Sequence, residues 1–368
     1  MKQKTRNILC IVLKKGISFL LIAFIFVGAF SAFVVINTDN LIYKKFFSSR
    51  VENQTILELW LISKYESGVA SKESHLERVA IEFEKQNKGA YILIQEMTED
   101  ECKIKLDDNE APDIFCFSGC VAGMLEPYLA KLEEQENVKE VLLNAARNKA
   151  LELKSYPYSL GGYALISTIN RLESANCYKT ENMLFNVYSL GYQKKLKKST
   201  KNTYSVVYGT KNGNFVQSAL NEEAKNRGVE LNKISLSYDE KVREMTSYNA
   251  YTSFVYGDSV MLLGTQRDLA RIQSREKSGR EDGFVVDFFS HYSDIVDFVG
   301  VAQTDSENNM KLARAFSKFL ISEESQKSLS KIGLFPTIKM QEYIYESGYF
   351  LEMEKCLKSL SLTESIFT

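Results

Sequence analysis

Apolar positions after residue 54 fall into two rhythms: near-continuous blocks that suit buried strands, and blocks spaced by three and four that suit helices. TILELWLIS (55–63) is a block of the first kind. SKESHLERVAIEFEKQN (71–87) carries apolar residues at 76, 79, 80 and 83, a helical spacing closed by Gly89. AYILIQEM (90–97) predicts a second strand, TEDECKIKLDDNE (98–110) a short amphipathic helix, and DIFCF (113–117) a third, buried strand. Strand, helix, strand, helix, strand is the order of a parallel sheet covered by helices. Such sheets bind ligands beyond the carboxyl ends of their strands. Asp113 would start the third strand, and Ser118 and Gly119 would form its exit loop, so the loop and not the acid is the candidate site.

Further along, LELKSYPYSLGGYALISTIN (151–170) is an apolar stretch interrupted by Pro157 and the pair Gly161 and Gly162, punctuation that suits a crossing between two lobes. A lysine-rich run at 194, 195, 197, 198 and 201 reads as a solvated face. Residues 214–248 read as helix, loop, helix, and 254–276 as turn, strand, loop and helix. Residues 283–303 hold two apolar patches. NNMKLARAFSKFLISEESQKSLSKIGLFP (308–336) predicts a helix with apolar positions at 312, 315, 316, 319 and 320, then a shorter one ending near Gly333.

The N-terminal end has a different character. Lys2, Lys4, Arg6, Lys14 and Lys15 precede residues 16–36, a run of 21 without a charge. At about 1.5 Å per helical residue, that run spans a hydrocarbon core of roughly 30 Å. The basic flank holds its own side in the cytoplasm and places everything after Asn37 outside. The alternative is a cleavable secretory signal. Residues 37–54 form a mostly polar spacer.

Composition narrows the function. A chain of 368 residues exceeds what one core usually serves, so two lobes are expected. Its 46 Lys and Arg against 47 Asp and Glu give a net charge of -1, without the basic surplus of a nucleic-acid binder. Only His75 and His291 are available for imidazole chemistry. Outside the anchor flank, where Cys10 lies, Cys102, Cys116, Cys120, Cys177 and Cys356 are odd in number and irregularly spaced, which implies no disulfide framework. For Cys116 and Cys120 the readings are packing, a local bridge or a metal, with no CxxC pair or nearby His to complete a ligand set.

Taken in order, these segments resemble one family, the extracellular solute-binding proteins of ABC importers, in the carbohydrate-type (family 1) branch. TILELWLIS with LERVAIEFEKQN resembles the family's opening strand and helix, and APDIFCFS its Pro-Asp strand. YPYSLGGYALISTIN resembles the crossing between lobes, FVYGDSVMLLGTQRDLARI the glycine-containing loop, and FSKFLISEESQKSLSKIGLFP the late helical signature. Coverage runs from about residue 55 to 340.

The resemblance implies an α/β, two-lobed periplasmic-binding-protein-like fold with a ligand cleft, preceded here by one N-terminal transmembrane helix. Lobe 1 would comprise 55–157 and 291–335, and lobe 2 158–290 and 336–368. It implies a binding protein rather than an enzyme, needing no cofactor, that passes a sugar or oligosaccharide to an ABC permease. The residues that fall on the family's cleft positions are Phe117, Ser118, Tyr158, Gly161, Gln266 and Arg267, with Tyr292 and Phe335 near the second crossing and the late helix. Trp60, inside its strand, reads as core. Three departures stand out: the part after the apolar run is short for this family, the chain has a single Trp, a common platform for sugar rings, and no cysteine stands just after the apolar run to carry a lipid. The alternatives are an anchored binding protein serving a sensor or assembly partner, and an extracytoplasmic hydrolase, although no GxSxG, HExxH or phosphate-cradling glycine loop is present.

Overall fold

The computed structural model describes residues 54–174, 204–209, 216–228, 242–280, 283–361, 363 and 365–367. The apolar run at 16–36, Cys10, Cys177 and the lysine-rich run lie outside the described residues. Among the described residues no helix is long and apolar enough to cross a membrane. The described residues from Ile56 onward belong to one compact unit.

In chain order the elements are β1 (Thr55–Ile62), α1 (Lys72–Gln86), β2 (Ala90–Glu96), α2 (Glu99–Asp107), β3 (Ile114–Ser118), α3 (Ala122–Leu125), α4 (Glu140–Ala145), β4 (Tyr156–Leu160) and β5 (Tyr163–Thr168). Then come α5 (Ile169–Ser174), β6 (Tyr204–Gly209), α6 (Val216–Asn226), β7 (Val242–Met245), α7 (Ser247–Val255), β8 (Ser259–Thr265) and α8 (Gln266–Lys277). The last are β9 (Phe284–Phe288), β10 (Val296–Val301), α9 (Glu307–Leu320), α10 (Glu323–Lys327) and α11 (Gly348–Leu357).

Two five-stranded sheets result, in the orders β2-β1-β3-β10-β4 and β7-β6-β8-β5-β9. In the first, β1 and β3 run parallel with Leu59 opposite Ile114, while β10 lies antiparallel to β3 and β4. In the second, β6 pairs parallel with β7 and β8, and β5 antiparallel with β8 and β9. β3, apolar up to its terminal Ser118, is buried along its whole length on both faces, as covered sheets require.

Local chemistry explains the helices. Ser71 caps α1 by accepting from the Ser74 amide, and Thr98 forms a capping box with Glu101 at the start of α2. Phe83 on α1 meets Phe316 on α9 edge to face, centroids 5.3 Å apart, fixing two helices on one side of the first sheet. Asp113 braces this sheet: it accepts from the Glu58 amide and the Asn309 side chain, each at 2.9 Å.

Two expectations change and one gains definition. Residues 242–245, expected as loop or helix, form the edge strand β7, since VREM has too few apolar residues to signal a strand and is ordered by its parallel pairing with β6. The apolar patches at 283–303 are the strands β9 and β10. Ser118 is not in an exit loop: it is the last residue of β3, paired with Asp297, and the loop starts at Gly119.

Candidate functional site

At the carboxyl ends of β1 and β3 lies a buried polar cluster built from four segments. The Ser118 hydroxyl donates to Asp297 Oδ1 at 2.8 Å and accepts from the Lys64 amide at 2.9 Å. The Ser159 hydroxyl donates to Asp297 Oδ2 at 2.8 Å, and the Lys72 ammonium pairs with the same oxygen at 2.5 Å and donates to Ser63 at 2.7 Å. Burial pulls the Lys72 ammonium below its ordinary pKa, and the Asp297 carboxylate opposes that shift. A buried pair fully supplied with hydrogen bonds orients its neighbours firmly, which is what a binding loop needs beneath it.

Above this cluster opens a cavity of about 230 Å³ lined by Tyr65, Cys120, Asp294 and Phe298, with Ile366 of the C-terminal tail on its far side. The tail is held by the Ile366 amide, which donates to the Ala145 carbonyl at 3.1 Å. Gly119 is needed here, because a Cβ would lie 2.9 Å from the Ile366 side chain. Tyr65 lies beneath the Lys72 ammonium, 5.7 Å from ring centroid to nitrogen. Tyr163 donates to Asp294 Oδ1 at 2.6 Å. Burial raises the Tyr65 and Tyr163 phenols, reinforced by Asp294, so both stay protonated donors. Burial also raises the Cys120 thiol, against the pull of Lys64. The cavity therefore offers an aromatic ring, a carboxylate and a thiol beside apolar walls, a surface for hydrogen bonding and stacking.

The two sheets meet at Gly161 and Gly162, slightly beyond the expected 157/158 boundary, since β4 stays with the first sheet through Leu160. Gly161 has no room for a side chain: a Cβ would fall 2.5 Å from Ile295 and 2.6 Å from Gln266 Oε1. The close approach that favours glycine thus comes from the protein itself. Gln266, buried at the start of α8, accepts from the Gly162 amide at 3.2 Å and donates to the Glu66 carbonyl at 2.6 Å. Arg267 donates to the carbonyls of Gly68 at 3.0 Å and Val69 at 3.2 Å. Both residues expected to grip a ligand from the second sheet instead hold the β1–α1 loop of the first.

The remaining expected residues are placed as follows. Phe117 is buried and stacks on Phe298, centroids 6.1 Å apart, so it reaches the cavity only through that ring. Tyr158 is core, 1% exposed, and its carbonyl accepts from Gln326 at 2.7 Å. Tyr292 is buried in the apolar cluster that contains Tyr65 and Tyr163. Phe335 exchanges backbone hydrogen bonds with Leu160 and packs against Tyr345 and Phe350, away from the cavity. None of the eight lines the cavity: Ser118 belongs to the polar cluster at the strand ends, Gly161 to the join between the sheets, and Gln266 and Arg267 hold the β1–α1 loop. Sequence reading passed over Tyr65, Lys72, Asp294 and Asp297. A signal existed for three of them: Tyr65 follows the first strand's carboxyl end, and Asp294 and Asp297 are acids inside a largely apolar patch, whereas Lys72 reads as an ordinary helix-start lysine.

Among the described residues Cys102, Cys116, Cys120 and Cys356 are free.

No family model matches the chain, and no curated protein matches it in sequence. Solved structures do match in fold. A family 1 extracellular solute-binding protein from Bifidobacterium longum subsp. infantis has a TM-score of 0.60 at 14% identity, covering 86% of this chain and 90% of that one. An ABC substrate-binding protein from Listeria monocytogenes, in complex with cycloalternan, has a TM-score of 0.58 at 13% identity, covering 84% and 88%. Iron-bound HitA from Pseudomonas aeruginosa has a TM-score of 0.54 at 13% identity, covering 82% and 92%, so the likeness extends beyond sugar binders. Two sheets joined at a glycine pair, with a cavity at the strand ends beside the join, give this chain the fold of the solute-binding proteins of ABC importers.

Proposed function

We propose that this protein is an extracytoplasmic solute-binding protein that takes a sugar or oligosaccharide between its two sheet-and-helix halves and presents it to an ABC permease. The observation that carries this reading is the position of the cavity, at the carboxyl ends of β1 and β3 and beside the Gly161–Gly162 join. Its chemistry suits a sugar, whose apolar C–H faces stack on rings such as Tyr65 and whose hydroxyls pair with groups such as Asp294. At about 230 Å³ the cavity is smaller than the roughly 300–1,000 Å³ of small-ligand pockets, so loading requires it to widen. A ligand then shifts the population towards the closed form by its greater affinity for that form. The uncharged run at 16–36 tethers the protein to the membrane with residues 55–368 outside the cell.

The test is a thermal-shift screen of the full chain in detergent against mono-, di- and oligosaccharides. A solute at about 100 times its dissociation constant stabilises the fold by roughly 2.7 kcal/mol. The reading expects such a shift from at least one carbohydrate, and a complete panel without a shift overturns it.

A further inference from the structure

A second cavity, of about 410 Å³, lies away from the strand ends, between α4, the segment 335–340 and the end of α11. Its size falls in the roughly 300–1,000 Å³ range of small-molecule sites. Phe335, Ile338, Leu357 and Leu360 make an apolar floor, and Val141 and Met340 stand at its sides. Charged residues on the lining are Lys139, Glu140, Lys339, Glu354 and Lys358, an excess of one cation.

Their engagements differ. Lys339 donates to the Glu136 carbonyl at 3.0 Å, and Lys358 sits over the Tyr343 ring at 3.7 Å. The Glu354 carboxylate is turned to the backbone, accepting from the Ile344 amide at 3.0 Å and the Tyr345 amide at 3.2 Å. Glu140 is exposed. Lys139 has one long bond, to the Leu357 carbonyl at 3.4 Å, and no ion pair with any described residue. Glu354 acts on this ammonium from beyond ion-pair distance, its carboxylate being committed to the Ile344 and Tyr345 amides, so the partly desolvated Lys139 has a counter-charge nearby but none in contact.

We infer that this cavity is a binding site for a monocarboxylate with a hydrocarbon body, the carboxylate on Lys139 and the chain against Phe335, Ile338 and Leu357. The excess of a single positive charge matches a monoanion. The apolar floor rejects small hydrated anions, which have nothing to bury. The same Leu357 also packs where a Cβ on Gly162 would lie, 3.3 Å away, so the floor abuts the join between the sheets. Burial lowers the Lys139 ammonium to about 8, so the group that receives the carboxylate loses its charge in mildly alkaline solution.

The test is calorimetric titration of the full chain with octanoate, 1-octanol and inorganic phosphate. Expected is saturable binding of one octanoate per chain, weakening as pH rises through about 8, with octanol and phosphate each roughly tenfold weaker or more. Lys139→Gln should reduce octanoate to the affinity of octanol, and Met340→Trp, at the mouth of the cavity, should block both. Octanoate that fails to saturate, or that binds Lys139→Gln and Met340→Trp as it binds the parent, overturns the proposal. Neither result bears on sugar binding at the strand ends, which the carbohydrate screen reads separately.

Discussion

The Gln266 side-chain amide donates to the backbone carbonyl of Glu66 across 2.6 Å, joining two residues 200 positions apart and two sheets that share few covalent links. Its other end accepts from Gly162. One side chain therefore ties the β1–α1 loop to the point where the chain crosses between sheets. Gln266→Ala leaves the buried Gly162 amide and the half-buried Glu66 carbonyl without this partner, which costs roughly 1–3 kcal/mol, most of it at the buried amide. Urea unfolding of the variant should show a loss in that range; an unchanged midpoint would mean that the bridge is idle.

Lys72 and Asp297 form a buried pair at 2.5 Å. Removing the cation strands a carboxylate that only serine hydroxyls then support. Lys72→Met should cost roughly 3–5 kcal/mol, and adding Asp297→Asn should recover part of it. A double-mutant cycle with no coupling would contradict the pairing.

His75 lies fully buried on α1, and burial lowers its pKa to about 3, helped by the nearby cations Arg78 and Lys331. The unfolded chain holds the imidazole near 6.5, so between about 6.5 and 3 the unfolded state binds the extra proton. Stability is therefore present above the unfolded value and lost as pH falls through that window, by an amount on the order of a few kcal/mol. Comparing acid unfolding of the parent with His75→Gln isolates this contribution from the carboxylates. The variant should be less sensitive to acid; parallel curves would rule the imidazole out.

Much of the first sheet was legible because its strands are near-continuous apolar blocks and its helices carry caps and regular spacing. The glycine pair at 161 and 162 marked the crossing for the same local reason. The edge strand β7 was not legible, because its order comes from a neighbour far along the chain. The site was only partly legible: Ser118 sits in the buried cluster at the strand ends and not on the cavity, Gln266 and Arg267 bridge backbone, and Tyr158 and Phe335 are core. Side-chain direction depends on which elements pack together, and one sequence does not encode that locally. Asp297 shows the converse, an acid within an apolar strand whose partners Lys72, Ser118 and Ser159 come from three distant segments.

Gly161→Ala would place a methyl group on Ile295 and Gln266. Since both neighbours are held, the crossing has to shift, at a cost of typically 1–3 kcal/mol for overpacking. Small-angle scattering should register a changed radius of gyration relative to the parent. Identical scattering and stability would indicate that the join has slack.

The account stands most directly on calorimetric titration of the full chain with the carbohydrates that shift its melting temperature. It predicts one molecule bound per chain, and an affinity reduced roughly tenfold or more by Tyr65→Ala while the variant stays folded. Absence of saturable carbohydrate binding, or binding that Tyr65→Ala leaves untouched, would contradict it.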